Sequence, residues 1–239
     1  MQTLMLLPGL MCDAEVWAQQ VHTLAAQADV VVVDYGHCNN LPDMARAVLA
    51  QAPSGPLAVA GHSMGGRVAL ELVRMVPQRI SHLALLNMGA HPLPAGEAGA
   101  KESEGRLALV ALAQRRGMRA MGAHWARGMV HPDRLATPLF ESVLDMLERS
   151  SPDQFAAQTH ALIHRPDASD VLAQIVCPTL VLTGRQDLWS PPEQHARIAA
   201  AIKGARLLIL EHCGHMSTME QGAEVSSALS ELLHQSAAW

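Results

Sequence analysis

The chain has 239 residues, of which 49% are hydrophobic and 16% are charged, so it can bury a large core and is neither a disordered chain nor a small disulfide-stapled scaffold. Its formal net charge of -5 comes from scattered residues with no run of lysine or arginine, which argues against nucleic acid as a partner. Four widely spaced cysteines, no recognisable signal peptide and no apolar stretch of about 18 residues predict reduced thiols, no membrane insertion and a cytoplasmic location.

Six short apolar runs predict β-strands, and helical patterns separate them. The runs are continuous rather than alternating, which is typical of strands buried on both faces of a parallel sheet. The predicted strands cover residues 4–7, 30–33, 57–60, 83–86, 180–182 and 207–210. Apolar residues at three- and four-residue spacing predict helices over 14–26, 42–51, 65–76, 192–202 and 223–234. This alternation predicts an α/β fold with about six mostly parallel strands flanked by helices.

One interval interrupts the alternation, because about 90 residues separate the fourth strand from the fifth, too many for a single crossover. Thr137 and Ser151 each precede a proline, an arrangement typical of helix starts. We therefore expect residues 1–87 and 166–239 to form the α/β core, and residues 88–165 to form a helical cap inserted after the fourth strand.

The hexapeptide GHSMGG, residues 61–66, lies between a predicted strand and a predicted helix. A serine in a tight strand-to-helix turn exposes its hydroxyl, and its crowded backbone requires small neighbours two residues before and two after. Gly61 and Gly65 satisfy that requirement for Ser63. This context predicts a nucleophile elbow, and a serine nucleophile needs a histidine base and a carboxylate to orient that base.

Two later segments join this motif. Residues 177–187 read CPTLVLTGRQD, and residues 211–221 read EHCGHMSTMEQ. With GHSMGG, they make the chain resemble the α/β-hydrolase superfamily, in its cap-bearing branch of esterases, thioesterases and lactonases, over nearly the whole length. The resemblance implies Asp187 as the triad acid and His215 as the base, and the order Ser, Asp, His agrees with that fold.

The position after the fourth strand, where some members of the superfamily carry the acid, reads Asn87-Met88-Gly89 and offers no carboxylate. Asp187 has one structural alternative, an Asx turn after Gly184. The resemblance further implies an oxyanion hole made of the backbone N–H groups of Leu10 and Met64. In the loop that would supply Leu10, Pro8 replaces the histidine that is usual in the superfamily.

We therefore expect a serine hydrolase that cleaves a small carboxylic ester or thioester through an acyl-enzyme intermediate. An enol-lactonase or a carbon-carbon bond hydrolase of aromatic degradation is an alternative, and it would need cap residues such as Arg119 or Arg127 to bind a substrate carboxylate. A non-catalytic ligand receptor on the same scaffold is an alternative of another class. The candidates for lining an apolar pocket for the acyl substrate are Met11, Met88, Trp125 and Met216.

His160 and His164 are four residues apart in a predicted helix, a spacing that would let them share a face as metal ligands do. No carboxylate or cysteine completes the set, and a pair of hydrated or capping histidines is the simpler interpretation. The sequence has no glycine-rich phosphate loop of the nucleotide-binding type. We therefore expect no metal and no cofactor.

Overall fold

The computed structural model describes residues 2–236, which form a six-stranded sheet with the order β2-β1-β3-β4-β5-β6. Every neighbouring pair of strands is parallel. The strands are β1 (Gln2–Leu7), β2 (Ala28–Val32), β3 (Leu57–His62), β4 (Ile80–Leu86), β5 (Thr179–Gly184) and β6 (Arg206–Leu210). The predicted α/β class with about six parallel strands is confirmed.

Eleven α-helices accompany the strands within residues 2–236. They are α1 (Ala18–Leu24), α2 (Leu41–Gln51), α3 (Met64–Met75), α4 (Glu97–Arg116), α5 (Met118–Trp125), α6 (Pro138–Glu148), α7 (Pro152–Ile163), α8 (Ser169–Leu172), α9 (Pro192–Ala201), α10 (Ser217–Glu220) and α11 (Gly222–Leu233). Helices α4 to α7 occupy the long interval between β4 and β5. The division into core and cap at residues 88 and 165 stays a prediction.

The position of each strand in the sheet explains its burial. All residues of β3, β4 and β5 are buried, because these central strands have neighbours on both edges and helices on both faces. The edge strands β2 and β6 are only partly buried, although their sequences are as apolar. Because β3, β4 and β5 are parallel neighbours, their carboxyl ends lie side by side at the centre of the sheet, and the loops after them lie close together.

The helix starts follow from capping chemistry. The Ser151 hydroxyl accepts a hydrogen bond from the backbone N–H of Gln154 at 3.1 Å, and Pro152 occupies the first position of α7. The predicted helix over 14–26 differs from the structure, because it opens as a 3-10 turn, Ala14–Trp17, before α1. Asp13 accepts from the backbone N–H of Glu15, a bond that favours this tighter turn.

The helical pattern expected across the inserted segment is also interrupted. Two 3-10 turns, Ala126–Gly128 and Pro132–Arg134, lie between α5 and α6. The backbone N–H of His131 bonds to the buried carboxylate of Glu220 at 2.7 Å instead of to a helical carbonyl. A contact from a distant part of the chain therefore outweighs the local helical pattern here.

Among residues 2–236, no helix combines the length and apolar character that crossing a bilayer requires.

Candidate active site

Ser63 lies at the junction of β3 and α3 with φ 54° and ψ -115°, a conformation that few non-glycine residues adopt. The glycines around it make this turn possible. A Cβ atom at Gly61 would lie 2.4 Å from the carbonyl oxygen of Gly65, and one at Gly65 would lie 2.1 Å from the carbonyl oxygen of Leu7. Both distances are far below van der Waals contact, so larger residues would push the turn apart and move the hydroxyl.

The hydroxyl of Ser63 lies in line with two groups from distant loops. Its Oγ is 2.9 Å from Nε2 of His215, which follows β6. On the other side of the ring, Nδ1 of His215 is 2.9 Å and 3.0 Å from the two carboxylate oxygens of Asp187, which follows β5. The structure thus brings together the three residues that the sequence indicated. An alcohol held in this way can pass its proton to the imidazole as it attacks an electrophile.

Asp187 is fully buried, and donors surround its carboxylate. The amide Nδ2 of Asn87 donates to Oδ2 at 2.9 Å, while the backbone N–H groups of Trp189 and Ser190 donate to Oδ1 at 2.9 Å. Burial by itself would raise the pKa of this carboxyl, but His215 and these donors hold it well below its usual range. An ionised Asp187 requires a proton on Nδ1 of His215, which leaves Nε2 to accept from Ser63.

Asn87 is a site residue that the sequence analysis did not identify as functional. It follows β4 with φ 51°, a left-handed conformation that asparagine tolerates better than most residues. Its Oδ1 accepts from the hydroxyl of Ser217, and its Nδ2 donates to Asp187 and, at 3.3 Å, to the carbonyl of Gly214. Asn87 therefore ties the acid loop to the histidine loop. Its place after β4, where some relatives carry the acid, is the signal that could have found it.

Leu10 and Met64 both border the space in front of Ser63. Met64 is the first residue of α3, so its N–H has no helical carbonyl to bond. The loop that carries Leu10 is held from two sides. The Tyr35 hydroxyl donates to the carbonyl of Pro8 at 3.1 Å, and Oε1 of Gln158, from α7, accepts from the N–H of Met11 at 2.8 Å. The loop that contains Pro8 is therefore held in place at both Pro8 and Met11.

The histidine loop is anchored to the inserted segment. The carbonyl of Met129 accepts from the N–H groups of His215, at 2.7 Å, and Met216, at 3.0 Å. Glu220 is buried, and its carboxylate accepts from the N–H groups of Gly214, at 3.0 Å, and Met216, at 3.2 Å, as well as from that of His131. His215 is therefore positioned by contacts on both sides of its backbone.

A cavity of about 840 Å³ opens in front of Ser63, between the carboxyl ends of the strands and the inserted helices. Trp125 from the insertion stacks on Trp189 with ring centroids 5.0 Å apart, and Trp189 in turn lies 5.0 Å from the ring of His215. Trp189 was not among the expected residues, although its position two residues after Asp187 was a usable signal. These aromatic rings form the wall of the cavity beside His215.

Comparison with known proteins places the chain in a family. Residues 4–228 match the model of the Alpha/beta hydrolase family. The chain belongs to this family. A protein of Pseudomonas savastanoi pv. phaseolicola named for carbamate hydrolysis, RutD, is 26% identical over 97% of this chain and 93% of its own length. A Pseudomonas putida protein named 2-hydroxy-6-oxononadienedioate/2-hydroxy-6-oxononatrienedioate hydrolase 1 is 28% identical over 68% of this chain and 57% of its own length.

Two solved structures of esterase and lactonase type share the fold. A thermophilic esterase from Thermogutta terrifontis, in a malate-bound form, superposes with a TM-score of 0.86 at 24% identity, covering 98% of this chain and 91% of its own. The enol-lactonase from Burkholderia xenovorans LB400 gives a TM-score of 0.86 at 22% identity, covering 98% and 92%. These two structures share the fold, and the family match together with the curated hydrolase relatives identifies the chain as an enzyme with hydrolase activity.

Two of the four methionine and tryptophan candidates for the pocket of this α/β hydrolase lie elsewhere. Met88 and Trp125 line the main cavity, as expected. Met11 instead lines a second cavity of about 310 Å³, because its left-handed backbone, with φ 62°, turns it away from Ser63. Met216 is fully buried and lines neither of these cavities, because the N–H groups bonded to Met129 and Glu220 hold its backbone against the insertion.

The two arginines suggested for a substrate carboxylate also lie outside the main cavity. Arg119 is half-exposed and pairs with the carboxylates of Glu141, Asp145 and Glu148 on α6. Arg127 is exposed on the 3-10 turn after α5. The cavity of this α/β hydrolase is instead lined by three other arginines, Arg67, Arg106 and Arg165. Sequence spacing gave no indication of this group, because its members come from α3, α4 and the loop after α7.

The histidine pair considered for a metal lies at the end of α7. The rings of His160 and His164 are 4.1 Å apart, with their Nδ1 atoms at the carbonyls of Asn39 and His160. Within residues 2–236, no group of three histidine, cysteine or acidic side chains is arranged to hold a metal ion.

Proposed function

We propose that this α/β hydrolase is a serine hydrolase that cleaves a small carboxylic ester or thioester through an acyl-enzyme intermediate. The observation that carries the proposal is the continuous hydrogen-bonded line from Ser63 through His215 to the ionised carboxylate of Asp187. This line meets the geometric requirement for an activated serine, with both hydrogen bonds close to 2.9 Å.

In the proposed reaction, Ser63 attacks the carbonyl carbon of the substrate while His215 takes the hydroxyl proton. Asp187 stabilises the imidazolium that forms, and the N–H groups of Leu10 and Met64 bind the developing oxyanion. His215 then gives its proton to the leaving oxygen or sulfur. A water molecule, activated by the same histidine, releases the acid product and restores the Ser63 hydroxyl.

A second candidate is the cleavage of a lactone or of a carbon-carbon bond in a substrate that carries a carboxylate. The arginines in the cavity wall favour it, and so does the similarity to the Pseudomonas putida relative, whose name describes hydrolysis of a dicarboxylate. The same serine, histidine and aspartate would serve this chemistry. The two candidates differ in the bond that is cleaved and in the carboxylate that the substrate carries.

The test of the serine mechanism combines labelling and turnover. We expect a fluorophosphonate probe to label the wild-type protein at Ser63, and 4-nitrophenyl esters from acetate to octanoate to be hydrolysed. In Ser63→Ala, labelling should disappear and kcat should fall by a factor of about 10⁶, the loss typical of removing such a serine. Ser142→Ala, which changes a partly exposed serine on α6 outside the cavity, is the matched control and should leave both unchanged.

Hydrolysis that persists in Ser63→Ala would contradict the assignment of the nucleophile. A wild-type protein that binds esters but neither labels nor releases product would favour the ligand-receptor alternative instead.

A further inference from the structure

The wall of the main cavity is strongly basic, although the chain as a whole is acidic. Four of its 17 lysines and arginines line this cavity, and the single acidic side chain among the lining residues is Glu102. The other cavity-lining residues are neutral or histidine. An unbalanced positive charge inside a partly closed space attracts anions, because the surrounding low-dielectric walls weaken the screening by solvent.

Arg165 and Arg106 share the one carboxylate. Arg165 donates from Nη1 and Nη2 to the two oxygens of Glu102 at 2.8 Å and 3.0 Å, and it is almost fully buried. Arg106 donates from Nε to the same Oε1 at 2.9 Å, and this bond does not use its two terminal nitrogens. One negative charge therefore neutralises only part of this pair.

Arg67 lies next to them without a counter-ion. Its Nη1 donates to the carbonyl of His91 at 2.9 Å, and Nε of Arg165 approaches the same oxygen at 3.3 Å, so the two guanidinium groups lie side by side. Within residues 2–236, Arg67 has no carboxylate within ion-pair distance. Burial, aided by the neighbouring charges of Arg165 and Arg106, lowers the pKa of Arg67 to about 9, and the more distant carboxylates of Glu102 and Asp167 offset this decrease only in part.

The position of Arg67 connects this charge to the nucleophile. Arg67 follows Ser63 by four residues at the start of α3, so it lies about one helical turn further along the same helix. Its Nη2 lies 3.2 Å from where a Cβ of Gly89 would be, and both Met88 and Gly89 line the cavity. Ser63 and the arginines thus border one continuous space.

We propose that Arg67, Arg106 and Arg165 form an anion-binding subsite that selects substrates carrying a carboxylate in addition to the carbonyl that Ser63 attacks. This inference rests on the proposed function, because it concerns the substrate of the same site. A planar carboxylate can accept two parallel hydrogen bonds from one guanidinium, and Arg67 and Arg106 both have terminal N–H groups free to donate. A bound carboxylate would also supply the negative charge that Glu102 alone does not.

The test compares pairs of esters that differ only in the anion. Monoethyl glutarate and ethyl pentanoate have the same length and differ in a terminal carboxylate on the acyl side. The pair 4-acetoxybutanoate and butyl acetate places the same difference on the leaving group. Proton release, followed with a pH indicator, reports all four reactions. We expect kcat/KM for the anionic member of one pair to exceed that of its neutral partner by about ten- to a hundredfold, as for one or two charge-assisted hydrogen bonds.

The variants Arg67→Met and Arg106→Met remove a guanidinium but keep much of the side-chain volume. In each, the ratio of anionic to neutral kcat/KM should fall about tenfold or more, mainly through KM for the anionic ester. Arg67→Lys keeps the charge and should retain part of the preference. Arg127→Met is the matched control, because it removes an exposed arginine outside the cavity, and its ratio should equal that of the wild type. Arg165 is left intact because its side chain is buried and bonded to both carboxylate oxygens of Glu102.

Two results would overturn the proposal while the serine mechanism stands. One is a wild-type protein that labels at Ser63 but shows no anionic preference in either pair, and the other is a preference that Arg67→Met and Arg106→Met leave unchanged. If Ser63 does not label and no ester is cleaved, the proposed function fails separately. Calorimetric titration with glutarate then tests the subsite by itself: binding that is lost in Arg67→Met supports the subsite, and no binding to the wild type refutes it.

Discussion

Ser63 combines an unfavourable backbone conformation with a hydroxyl directed at His215. A non-glycine residue in such a conformation costs about 1–3 kcal/mol, and it persists only where the surrounding structure enforces it. Here β3 and α3 enforce it, with Gly61 and Gly65 at the points of closest backbone approach. The glycines on either side of Ser63 are therefore required for stability as much as for the position of the hydroxyl.

Two glycine substitutions separate close packing from helix propensity. Gly65→Ala would place a methyl group 2.1 Å from the carbonyl oxygen of Leu7, and we expect the free energy of unfolding to fall by about 3 kcal/mol. Gly105 lies on an exposed part of α4, where an added Cβ would meet no atom outside the helix's own backbone within 4 Å. Gly105→Ala should therefore raise the free energy of unfolding by about 0.5–1 kcal/mol through helix propensity. Urea unfolding measures both. Equal effects of the two substitutions would contradict the close approach at Gly65.

A second prediction concerns Asn87, which we consider a positioning residue. In Asn87→Ala, Asp187 loses the 2.9 Å hydrogen bond to its Oδ2 and His215 loses part of the support for its orientation. We expect kcat for ester hydrolysis to fall about tenfold, the value of one hydrogen bond to a charged group, with little change in KM. Steady-state kinetics with a 4-nitrophenyl ester would show this. A rise in KM with unchanged kcat would instead indicate a role in substrate binding.

At the scale of elements, the inserted segment and the histidine loop behave as one unit. The chain from Met129 to His131 leaves the inserted helices and bonds to the backbone around His215, directly through the carbonyl of Met129 and indirectly through Glu220. A displacement of the inserted helices would therefore also move the base. Burial raises the pKa of Glu220, and the three backbone N–H groups that it accepts from offset this rise in part.

The third prediction tests this coupling. Glu220→Gln keeps the size of the side chain but replaces one accepting oxygen with a donor, so one of the bonds to Gly214, Met216 or His131 must break. We expect the free energy of unfolding to fall by about 1–3 kcal/mol and hydrogen exchange to quicken in both 129–131 and 214–216. Glu224→Gln, an exposed acid on α11, is the control. Faster exchange in one segment alone would show that the two are not coupled.

At the scale of the whole molecule, two buried histidines outside the proton relay make stability depend on pH. Burial, aided by the nearby charge of His215, lowers the pKa of His62 to about 3. Burial also lowers the pKa of His195 to about 4, despite its hydrogen bond to the carbonyl of Pro191. The folded protein thus keeps both rings neutral well below pH 6.5, where the unfolded chain takes up protons. Acid therefore favours the unfolded state.

The fourth prediction follows from this difference in proton binding. Between pH 7.5 and pH 5, each of the two histidines should lower the free energy of unfolding by about 2 kcal/mol. In His195→Gln, whose amide oxygen can still accept from the N–H of Met88, about 2 kcal/mol of this decrease should disappear. Urea unfolding at the two pH values measures it, with His22→Gln on the exposed face of α1 as the control. An unchanged decrease in His195→Gln would mean that this ring is not kept neutral.

Features set by neighbouring residues could be predicted from the sequence, whereas features that depend on distant partners could not. The order of strands and helices was readable because apolar periodicity is a property of neighbouring residues, and buried parallel strands such as β3 to β5 leave continuous apolar runs. Ser63 was identifiable because it follows a strand in a short motif with required glycines, and the resemblance to the superfamily implied Asp187 and His215. Asn87 and Trp189 were missed although their positions in the chain offered a signal, because their hydrogen-bonded and stacked partners come from distant parts of the chain.

The sequence by itself determined the α/β architecture, the membership in a hydrolase family and the three residues that the structure aligns. Only the tertiary structure decided the character of the cavity. Arg67, Arg106 and Arg165 lie far apart in the chain, and their charges act together because folding brings them to the wall of one cavity. Electrostatic energy depends on distance and burial in space rather than on spacing along the chain, so the chain's net charge of -5 gave no sign of a basic cavity.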